Sequence, residues 1–299
     1  MKENFRELTG TKVLITGSTG YIGSNLLRRL KDLDCKIFAP ISELSFEKIS
    51  NTKTKSIQYI SYDGTYESLK ELEDVDIDYV FHLAAFQGDD KIEDDINQMI
   101  DSNFRFGFHI LQICKKVNPK LFINTDSYFQ FDEKGKKWPR NIYSITKQAF
   151  SDILESSSTK NFKICSLVLF DVYGPKDPRN KIFSRLEKAT LNKKEVLMTK
   201  GEQEHYCVHV FDVVNAYCQV VKNYSTNQSA FKRYWVAGKG LALKKVIDKW
   251  MISTQHKPRI LWGELEYFPN QILKPHIGEK IPGWKIQIKL EEGLKSTLK

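Results

Sequence analysis

Long apolar runs are missing from this 299-residue sequence, and so is the apolar core of a signal peptide. No stretch approaches the roughly 20 apolar residues that a membrane-spanning helix requires. The first ten residues instead carry Lys2, Glu3, Arg6 and Glu7. With 41% hydrophobic residues, the composition predicts a globular, cytoplasmic protein with one substantial core and no membrane partner.

Cysteines are few, and their spacing does not indicate disulfide pairs or a metal-binding motif. There are five, an odd number, and no two form a Cys-x-x-Cys motif. The pattern argues against a disulfide framework and gives no sign of a zinc site, so we expect reduced packing residues and no bound metal. The five are Cys35, Cys114, Cys165, Cys207 and Cys218.

Blocks of charge of one sign are also absent, although the net charge is +9. A positive field attracts any polyanion, so the charge alone does not choose among a nucleic acid, an acidic lipid and a small anionic substrate. Even the densest basic stretches, at residues 134–137 and 193–194 and in the tail from Lys280, have acidic or apolar residues among them. This scatter argues against a nucleic-acid partner.

Short apolar runs alternate with amphipathic stretches through the first half of the chain. Runs of this kind are typical of strands buried on both faces, and the alternation predicts an α/β fold with a doubly wound parallel (Rossmann) sheet. We expect residues 1–170 to form the dinucleotide-binding part, with elements returning to it near 207–240, and residues 171–299 to form mainly a smaller substrate lobe. The predicted strands are residues 12–16, 35–39, 56–60, 78–83, 121–124, 164–169, 208–210 and 234–238. The predicted helices are residues 21–30, 96–117, 143–156, 181–191 and 243–251, with one more beginning at Asp212.

The first predicted strand runs into a glycine-rich turn, Gly17-Ser18-Thr19-Gly20-Tyr21-Ile22-Gly23, which opens a helix. Glycines at this spacing permit a tight turn, a close backbone approach to a pyrophosphate and close packing of helix on strand. The helix N-terminus adds amide donors and a positive dipole. The motif predicts a dinucleotide cofactor bound at Gly17, Thr19, Gly20, Tyr21, Ile22 and Gly23.

The residues at the end of the second predicted strand indicate whether the dinucleotide is NAD or NADP. An NAD enzyme usually carries an acid there for the ribose hydroxyls, and an NADP enzyme often carries a basic residue. Residues 39–42 contain neither, and Glu43 lies close by. The segment favours NADPH and leaves NADH possible.

Tyr143 and Lys147 are four residues apart in a predicted helix and therefore share one face. A free tyrosine titrates near pH 10, roughly, so it needs a nearby ammonium to exchange a proton at neutral pH. The pair predicts a proton relay in which Lys147 also holds the nicotinamide ribose.

The glycine spacing followed by Tyr-x-x-x-Lys resembles the extended short-chain dehydrogenase/reductase family. The resemblance implies that Asp63 and Gly64 lie at the adenine, that the stretch His82-Leu83-Ala84-Ala85 flanks the cofactor, and that Asn103 belongs to the family's asparagine helix. Each residue also has an ordinary alternative. Asp63 can cap a helix, His82 can be a satisfied core histidine, and Asn103 can bond neighbouring backbone. The resemblance places the hydroxyl that bonds the reacting oxygen at Thr125, with Ser127 as the second choice.

Two longer stretches, residues 141–154 and 169–183, resemble the enzymes that make the CDP-linked 3,6-dideoxyhexoses of O-antigens. Sugar-nucleotide dehydratases of the family follow the threonine with Asp-Glu, whereas Asp126 is followed here by Ser127, which disfavours dehydration. The resemblance places Asp126, Ser127 and Asp171 at the substrate. The cations that replace the family's phosphate contacts are expected among Arg179, Lys181 and Arg185, although each can equally be a solvated surface charge.

The resemblance implies a homodimer that uses NAD(P)H to reduce the 4-keto group of a CDP-linked ketosugar. Two alternatives stay open. One is a nucleotide-sugar epimerase that retains and recycles NAD, and the other is a regulator that keeps the dinucleotide fold without catalysis. The presence of both Tyr143 and Lys147 makes the regulator the weakest of the three.

Overall fold

A seven-stranded parallel sheet forms the centre of the computed structural model, which describes residues 5–49, 56–224 and 229–298. The strands lie in the order β11-β6-β5-β4-β1-β2-β3. They are β1 (Lys12–Thr16), β2 (Lys36–Ser42), β3 (Ile57–Tyr62), β4 (Tyr79–His82), β5 (Leu121–Ser127), β6 (Lys163–Leu169) and β11 (Phe231–Val236). The short strands outside this sheet are β7 (Val172–Tyr173), β8 (Glu195–Met198), β9 (Glu204–His205), β10 (Val208–His209), β12 (Leu241–Ala242) and β13 (Arg259–Trp262).

Helices cover both faces of the sheet, which explains the nearly continuous apolar runs of its strands. In β1, Val13 and Ile15 pack in one buried cluster with Leu26, while Leu14 packs in the other with Ile110. The helices are α1 (Tyr21–Asp32), α2 (Glu43–Ile49), α3 (Glu93–Ile100), α4 (Phe106–Val117), α5 (Ile142–Ser157), α6 (Ile182–Leu191), α7 (Val210–Lys222), α8 (Leu243–Thr254) and α9 (Leu290–Lys295). The predicted doubly wound fold is confirmed.

The strand order reverses between β1 and β4, because β2 and β3 extend the sheet on one side of β1 while β4, β5 and β6 extend it on the other. In open α/β sheets, ligands bind at such a switch point, beyond the carboxyl ends of the strands. The glycine-rich turn after β1 lies at this edge of the sheet, and so do the residues that end β4 and β5.

The predicted single helix over residues 96–117 is interrupted by a π-helical turn at Asp101–Arg105, between α3 and α4. Asn103, in the middle of this turn, accepts a hydrogen bond from the Phe86 amide at 2.7 Å. It donates to the Phe86 carbonyl at 2.9 Å and to the Thr146 hydroxyl at 3.0 Å. The wider turn places the side chain where it ties α5 to the loop after β4, a constraint that periodicity alone does not reveal.

The C-terminal part has its own apolar cluster around the buried Trp250, built from α6, β8, α8 and α9. The sequence pattern gave no prediction for the tail, yet it forms β13, which pairs with β8, and α9. The tail is also fixed to α7, where the Asp212 carboxylate accepts from the Gln287 and Ile288 amides at 2.9 and 3.2 Å. The helix predicted to begin at Asp212 begins at Val210, because His209 caps it by accepting from the Phe211 amide.

No helix within the described ranges is both long enough and apolar enough to cross a membrane.

Replacement of Asn103 by alanine should destabilise the protein markedly. The change leaves the Phe86 amide and carbonyl without their partner, while the Thr146 hydroxyl keeps only its bond to the Tyr143 carbonyl. This should lower the free energy of unfolding by about 2–4 kcal/mol. Urea denaturation of Asn103→Ala measures the loss. Gln98→Ala, at an exposed position of α3, is the control. Equal stability of the two variants would contradict the structural role of Asn103.

Candidate active site

The glycine turn between β1 and α1 lies against the backbone that follows β4. Gly17 has φ +67°, and a Cβ atom there would lie 2.7 Å from the Ala84 nitrogen. A Cβ on Gly23 would lie 1.9 Å from the Gly17 carbonyl oxygen. Two of the three glycines are therefore required for the close approach of turn, helix and strand.

The polar groups of this turn fit a dinucleotide. No side chain caps the N-terminus of α1, so its first amides are open to an anion. The Ser18 and Tyr21 hydroxyls are buried and have no hydrogen-bond partner within the described chain. Buried polar groups normally have partners, and a pyrophosphate or ribose at this turn would supply them.

Thr16, at the end of β1, orders the backbone that faces the turn. Its hydroxyl accepts from the Leu83 and Ala84 amides, each at 3.2 Å, and lies 2.9 Å from Nδ1 of His82. The His82 ring packs against Phe150, and burial lowers its pKa to about 3, so the ring is neutral. His82 is thus the satisfied core histidine of the alternative interpretation. Leu83 and Ala84 reach the turn, whereas Ala85 is exposed.

The adenine end of the predicted site lies beyond β2 and β3. Asp63 is exposed and accepts from the amide and hydroxyl of Thr65 at 2.8 and 2.6 Å, and these bonds lower its pKa. The carboxylate thus closes a local turn, in which Gly64 has φ +98°. Strand β2 extends to Ser42, three residues further than predicted, so Glu43 follows it directly. An acid near the end of this strand is typical of NAD enzymes, so both NADPH and NADH stay open.

The Tyr143–Lys147 pair lies in the first turns of α5. Asn141 caps this helix by accepting from the Ser144 amide at 2.9 Å, which fixes where Tyr143 emerges. Lys147 is 5% exposed, and its ammonium lies 6.0 Å from the centre of the Tyr143 ring. Helical spacing and burial thus bring the two together as predicted from the sequence.

Burial also sets the protonation of the pair. Burial raises the pKa of Tyr143 to about 12, against a hydrogen bond from the Ser127 side chain that lowers it. Burial lowers the pKa of Lys147 to about 8, and the nearby Asp126 carboxylate opposes this shift. At neutral pH, the tyrosine hydroxyl is protonated and the lysine is a cation whose pKa lies close to the ambient pH.

Of the two candidate hydroxyls, Ser127 is the one whose hydrogen bond affects the pKa of Tyr143. The Thr125 hydroxyl donates to the His82 carbonyl at 2.8 Å and hydrogen-bonds the Tyr217 hydroxyl, so it is already bonded within the protein. Ser127 lies two residues further along the same face of β5, at the strand's carboxyl end. The contacts therefore favour Ser127 for the role that the family resemblance gave to Thr125.

Asp126 points to the opposite face of β5 and is 1% exposed. It accepts from the Asn124 amide at 2.9 Å and from the Ser151 hydroxyl at 3.0 Å, and the Arg233 guanidinium lies 3.6 Å away. These partners hold the carboxylate in the core, so a direct substrate contact is not what its surroundings favour. Its effect on the site is the negative charge that it places near Lys147.

Asp171 follows β6 at the same edge and pairs with His205. Its carboxylate lies 3.1 Å from Nδ1 of His205 and accepts from the Tyr206 amide at 3.3 Å. Burial alone would raise the pKa of Asp171 and lower that of His205, but their attraction and hydrogen bond reverse both shifts. The sequence analysis did not identify His205 or this ion pair.

The three predicted phosphate ligands differ in their surroundings. Arg179 is held by the Asp177 carboxylate through two bonds of 2.7 Å and donates to the Val172 carbonyl at 2.9 Å. Lys181, at the start of α6, donates to the Gln87 side chain at 3.0 Å. Arg185 is exposed on α6. Arg179 is therefore already neutralised by a carboxylate, which makes it a weak candidate for a phosphate.

Comparison with known proteins identifies relatives that match most of the chain. The chain is 24% identical over 292 residues to a CDP-abequose synthase of Salmonella muenchen, covering 96% of this chain and 97% of the relative. It is 30% identical over 213 residues to a CDP-abequose synthase of Yersinia pseudotuberculosis, covering 71% and 74%.

Solved structures share the fold. A UDP-glucuronic acid 4-epimerase from Bacillus cereus, in complex with UDP-glucuronic acid and NAD, superposes with a TM-score of 0.80 at 21% identity over 96% of this chain and 97% of its own. A Thermus thermophilus UDP-glucose 4-epimerase in complex with NAD gives a TM-score of 0.76 at 20% identity, covering 96% and 98%. The family model described as the NAD dependent epimerase/dehydratase family matches residues 13–237. With this match over most of its length, the chain belongs to the NAD dependent epimerase/dehydratase family.

Proposed function

We propose that this protein is an NAD(P)H-dependent 4-ketoreductase of nucleotide-diphosphate sugars that converts CDP-4-dehydro-3,6-dideoxy-D-glucose to CDP-abequose. The group formed by Ser127, Tyr143 and Lys147 at the carboxyl edge of the sheet is the observation that carries the proposal. The names of the two CDP-abequose synthases support the choice of sugar nucleotide.

The cofactor would be held by the open amides of α1, by the backbone at Leu83 and Ala84, and by Lys147. The close approach of Gly17 to Ala84 supports this placement. Because glycine has no side chain, a pyrophosphate can come close to the backbone of the turn. When bound, the dinucleotide supplies the hydride. The Asn103 amide is already satisfied by Phe86 and Thr146, so we propose that it positions α5 and does not contact the cofactor.

The protein's own groups would polarise the ketone and deliver its proton. Ser127 and Tyr143 donate hydrogen bonds to the carbonyl oxygen, which gains negative charge as it is reduced. Tyr143 then gives its proton to the developing alkoxide. Lys147 stabilises the tyrosinate that remains and returns a proton to it, which its pKa of about 8 permits at neutral pH.

Separate observations favour reduction over epimerisation and over dehydration. An epimerase begins by removing a proton from a sugar hydroxyl, and a tyrosine with a pKa of about 12 is a weak base at neutral pH. A dehydratase needs a further acid and base, but Asp126 is bound within the core and Ser127 stands where the glutamate would be.

We also propose a homodimer formed through α4 and α5. Phe108 of α4 and Ile145 of α5 are 38% and 51% exposed. Apolar side chains on two adjacent helices are the kind of surface that a second copy covers.

Oxidation of NADPH with CDP-4-dehydro-3,6-dideoxy-D-glucose, followed by absorbance, tests the proposed reaction. We expect rapid oxidation with this sugar and slow oxidation with UDP- or dTDP-linked ketosugars, with NADH run in parallel. Tyr143→Phe, the matched control, should lose roughly 10²–10⁴-fold in kcat because the proton donor is gone, while NADPH still binds. NMR of the product distinguishes CDP-abequose from its 4-epimer, CDP-paratose. No oxidation of any ketosugar by folded protein, together with NAD retained through purification, would instead indicate an epimerase.

Ser127→Ala and Thr125→Val separate the two candidate hydroxyls. Loss of the Ser127 donor should lower kcat roughly 10²–10³-fold with little change in KM, because the bond strengthens as charge develops on the oxygen. Thr125→Val should keep kcat near the wild-type value and lower the free energy of unfolding by about 1–3 kcal/mol, because it breaks buried hydrogen bonds. Steady-state kinetics and urea denaturation measure both. The reverse pattern of kcat losses would return the role to Thr125.

The reduction should slow as pH rises through the pKa of Lys147. Below about pH 8 the lysine is a cation, and above it the charge that supports Tyr143 disappears. The kcat/KM for reduction should then fall roughly tenfold per pH unit on the alkaline side. Lys147→Met should give a lower rate without this decline. A decline that begins only near pH 10, where an ordinary lysine titrates, would show that burial does not shift Lys147 as inferred.

A further inference from the structure

Arg140 lies beside the catalytic group, in the connection between β5 and α5. Its backbone amide donates to the Ser144 hydroxyl at 2.8 Å, which joins it to the first turn of α5. The central carbon of its guanidinium lies 4.6 Å from the centre of the Phe129 ring and 5.7 Å from that of Tyr128. Those two rings directly follow Ser127, so Arg140 is held at the edge of the sheet where the reaction is proposed.

The guanidinium of Arg140 has no acceptor in the described chain. Its Nε and Nη2 atoms are buried without a hydrogen-bond partner, and burial lowers its pKa. Arg179 differs, because it is paired with Asp177 at 2.7 Å, and Arg105 is paired with Asp101 at 2.9 Å. A partly buried cation whose buried nitrogens have no acceptor is costly, since the aromatic rings replace only part of its lost hydration. The arrangement is explained if an anion completes it.

The position of Arg140 points to the substrate as the source of that anion. Tyr128 stacks on Phe170, just beyond β6, with ring centres 4.8 Å apart and planes within 6°. Arg140 is therefore on the β5–β6 side of the edge. The glycine turn for the cofactor pyrophosphate follows β1, and β4 lies between β1 and β5. The second ligand of the proposed reaction also carries a diphosphate, whose oxygens match the planar donor pattern of a guanidinium.

We propose that Arg140 binds the diphosphate of the sugar nucleotide, with Phe129 and Tyr128 holding the guanidinium in place. This inference rests on the proposed function, because it takes a nucleotide-diphosphate sugar as the substrate. It assigns the phosphate contact to a residue that sequence reasoning did not single out. The candidates named from the sequence, Arg179, Lys181 and Arg185, are respectively neutralised by a carboxylate, bonded to an amide and exposed.

Calorimetric titration of CDP and of NADPH into Arg140→Gln tests this assignment without turnover. We expect CDP to bind on the order of 10- to 100-fold more weakly, the effect of losing one charge-assisted contact, while the Kd for NADPH is unchanged. Lys134→Gln removes the same charge from an exposed position of the same connection and is the matched control. Weaker NADPH binding with unchanged CDP binding would assign the anion to the cofactor and overturn the inference. Equal losses of CDP affinity in both variants would show that only the net charge of the protein matters, and this result would also overturn the inference.

Thermal unfolding of ligand-free Arg140→Met provides the second measurement. Removal of a buried cation that has no counterion should leave Tm unchanged or raise it, so a large decrease would show an internal partner and contradict the inference. The ketoreductase proposal is judged separately by NADPH oxidation. Wild-type protein that reduces the ketosugar while Arg140→Gln binds CDP normally would refute only the role of Arg140. Loss of CDP affinity in Arg140→Gln without any reduction would refute only the reaction.

Discussion

A line of hydrogen bonds across the ends of three parallel strands holds the site together. The Thr16 hydroxyl at the end of β1 meets Nδ1 of His82 at the end of β4, and the His82 carbonyl accepts from Thr125 of β5. The same Thr16 oxygen fixes the Leu83 and Ala84 amides against the glycine turn. The cofactor turn and the proposed catalytic strand are therefore parts of one polar network. Because its buried polar groups are costly to leave unpaired, the network keeps the ends of β1, β4 and β5 in register.

Much of the fold follows from patterns that are local in sequence. Apolar runs buried on both faces predict the parallel sheet, and the glycine turn identifies the β1–α1 unit, because each depends on residues within one or two elements. The pairs that shape the site join distant parts of the chain. Asp126 meets Arg233, and Asp171 meets His205, through strands whose positions are set only when the sheet assembles. No periodicity in the sequence signals such pairs.

The two candidate hydroxyls, Thr125 and Ser127, show how the position of a strand boundary affects a functional assignment. With the strand ending at Asn124, both hydroxyls would lie in a loop, and only the family motif would distinguish them. Because β5 continues to Ser127, the alternation of side chains puts Thr125 and Ser127 on one face and Asp126 on the other. Thr125 then lies inside the sheet and Ser127 at its edge. The pairing of β5 with β6 over this whole length extends the strand, and that pairing is a tertiary contact.

Burial shifts the pKa values of the candidate catalytic pair in opposite directions. The structures that superpose on the chain include epimerases, so the fold by itself does not distinguish oxidation from reduction. Desolvation disfavours both charged forms, the tyrosinate of Tyr143 and the ammonium of Lys147, and so raises one pKa and lowers the other. At neutral pH, Tyr143 is therefore protonated and lies beside a lysine whose pKa is close to that pH. Asp126, fixed behind the site by Asn124 and Ser151, keeps the lysine from losing its charge altogether. The proposed reduction requires such a pair, because its last step is the protonation of an alkoxide.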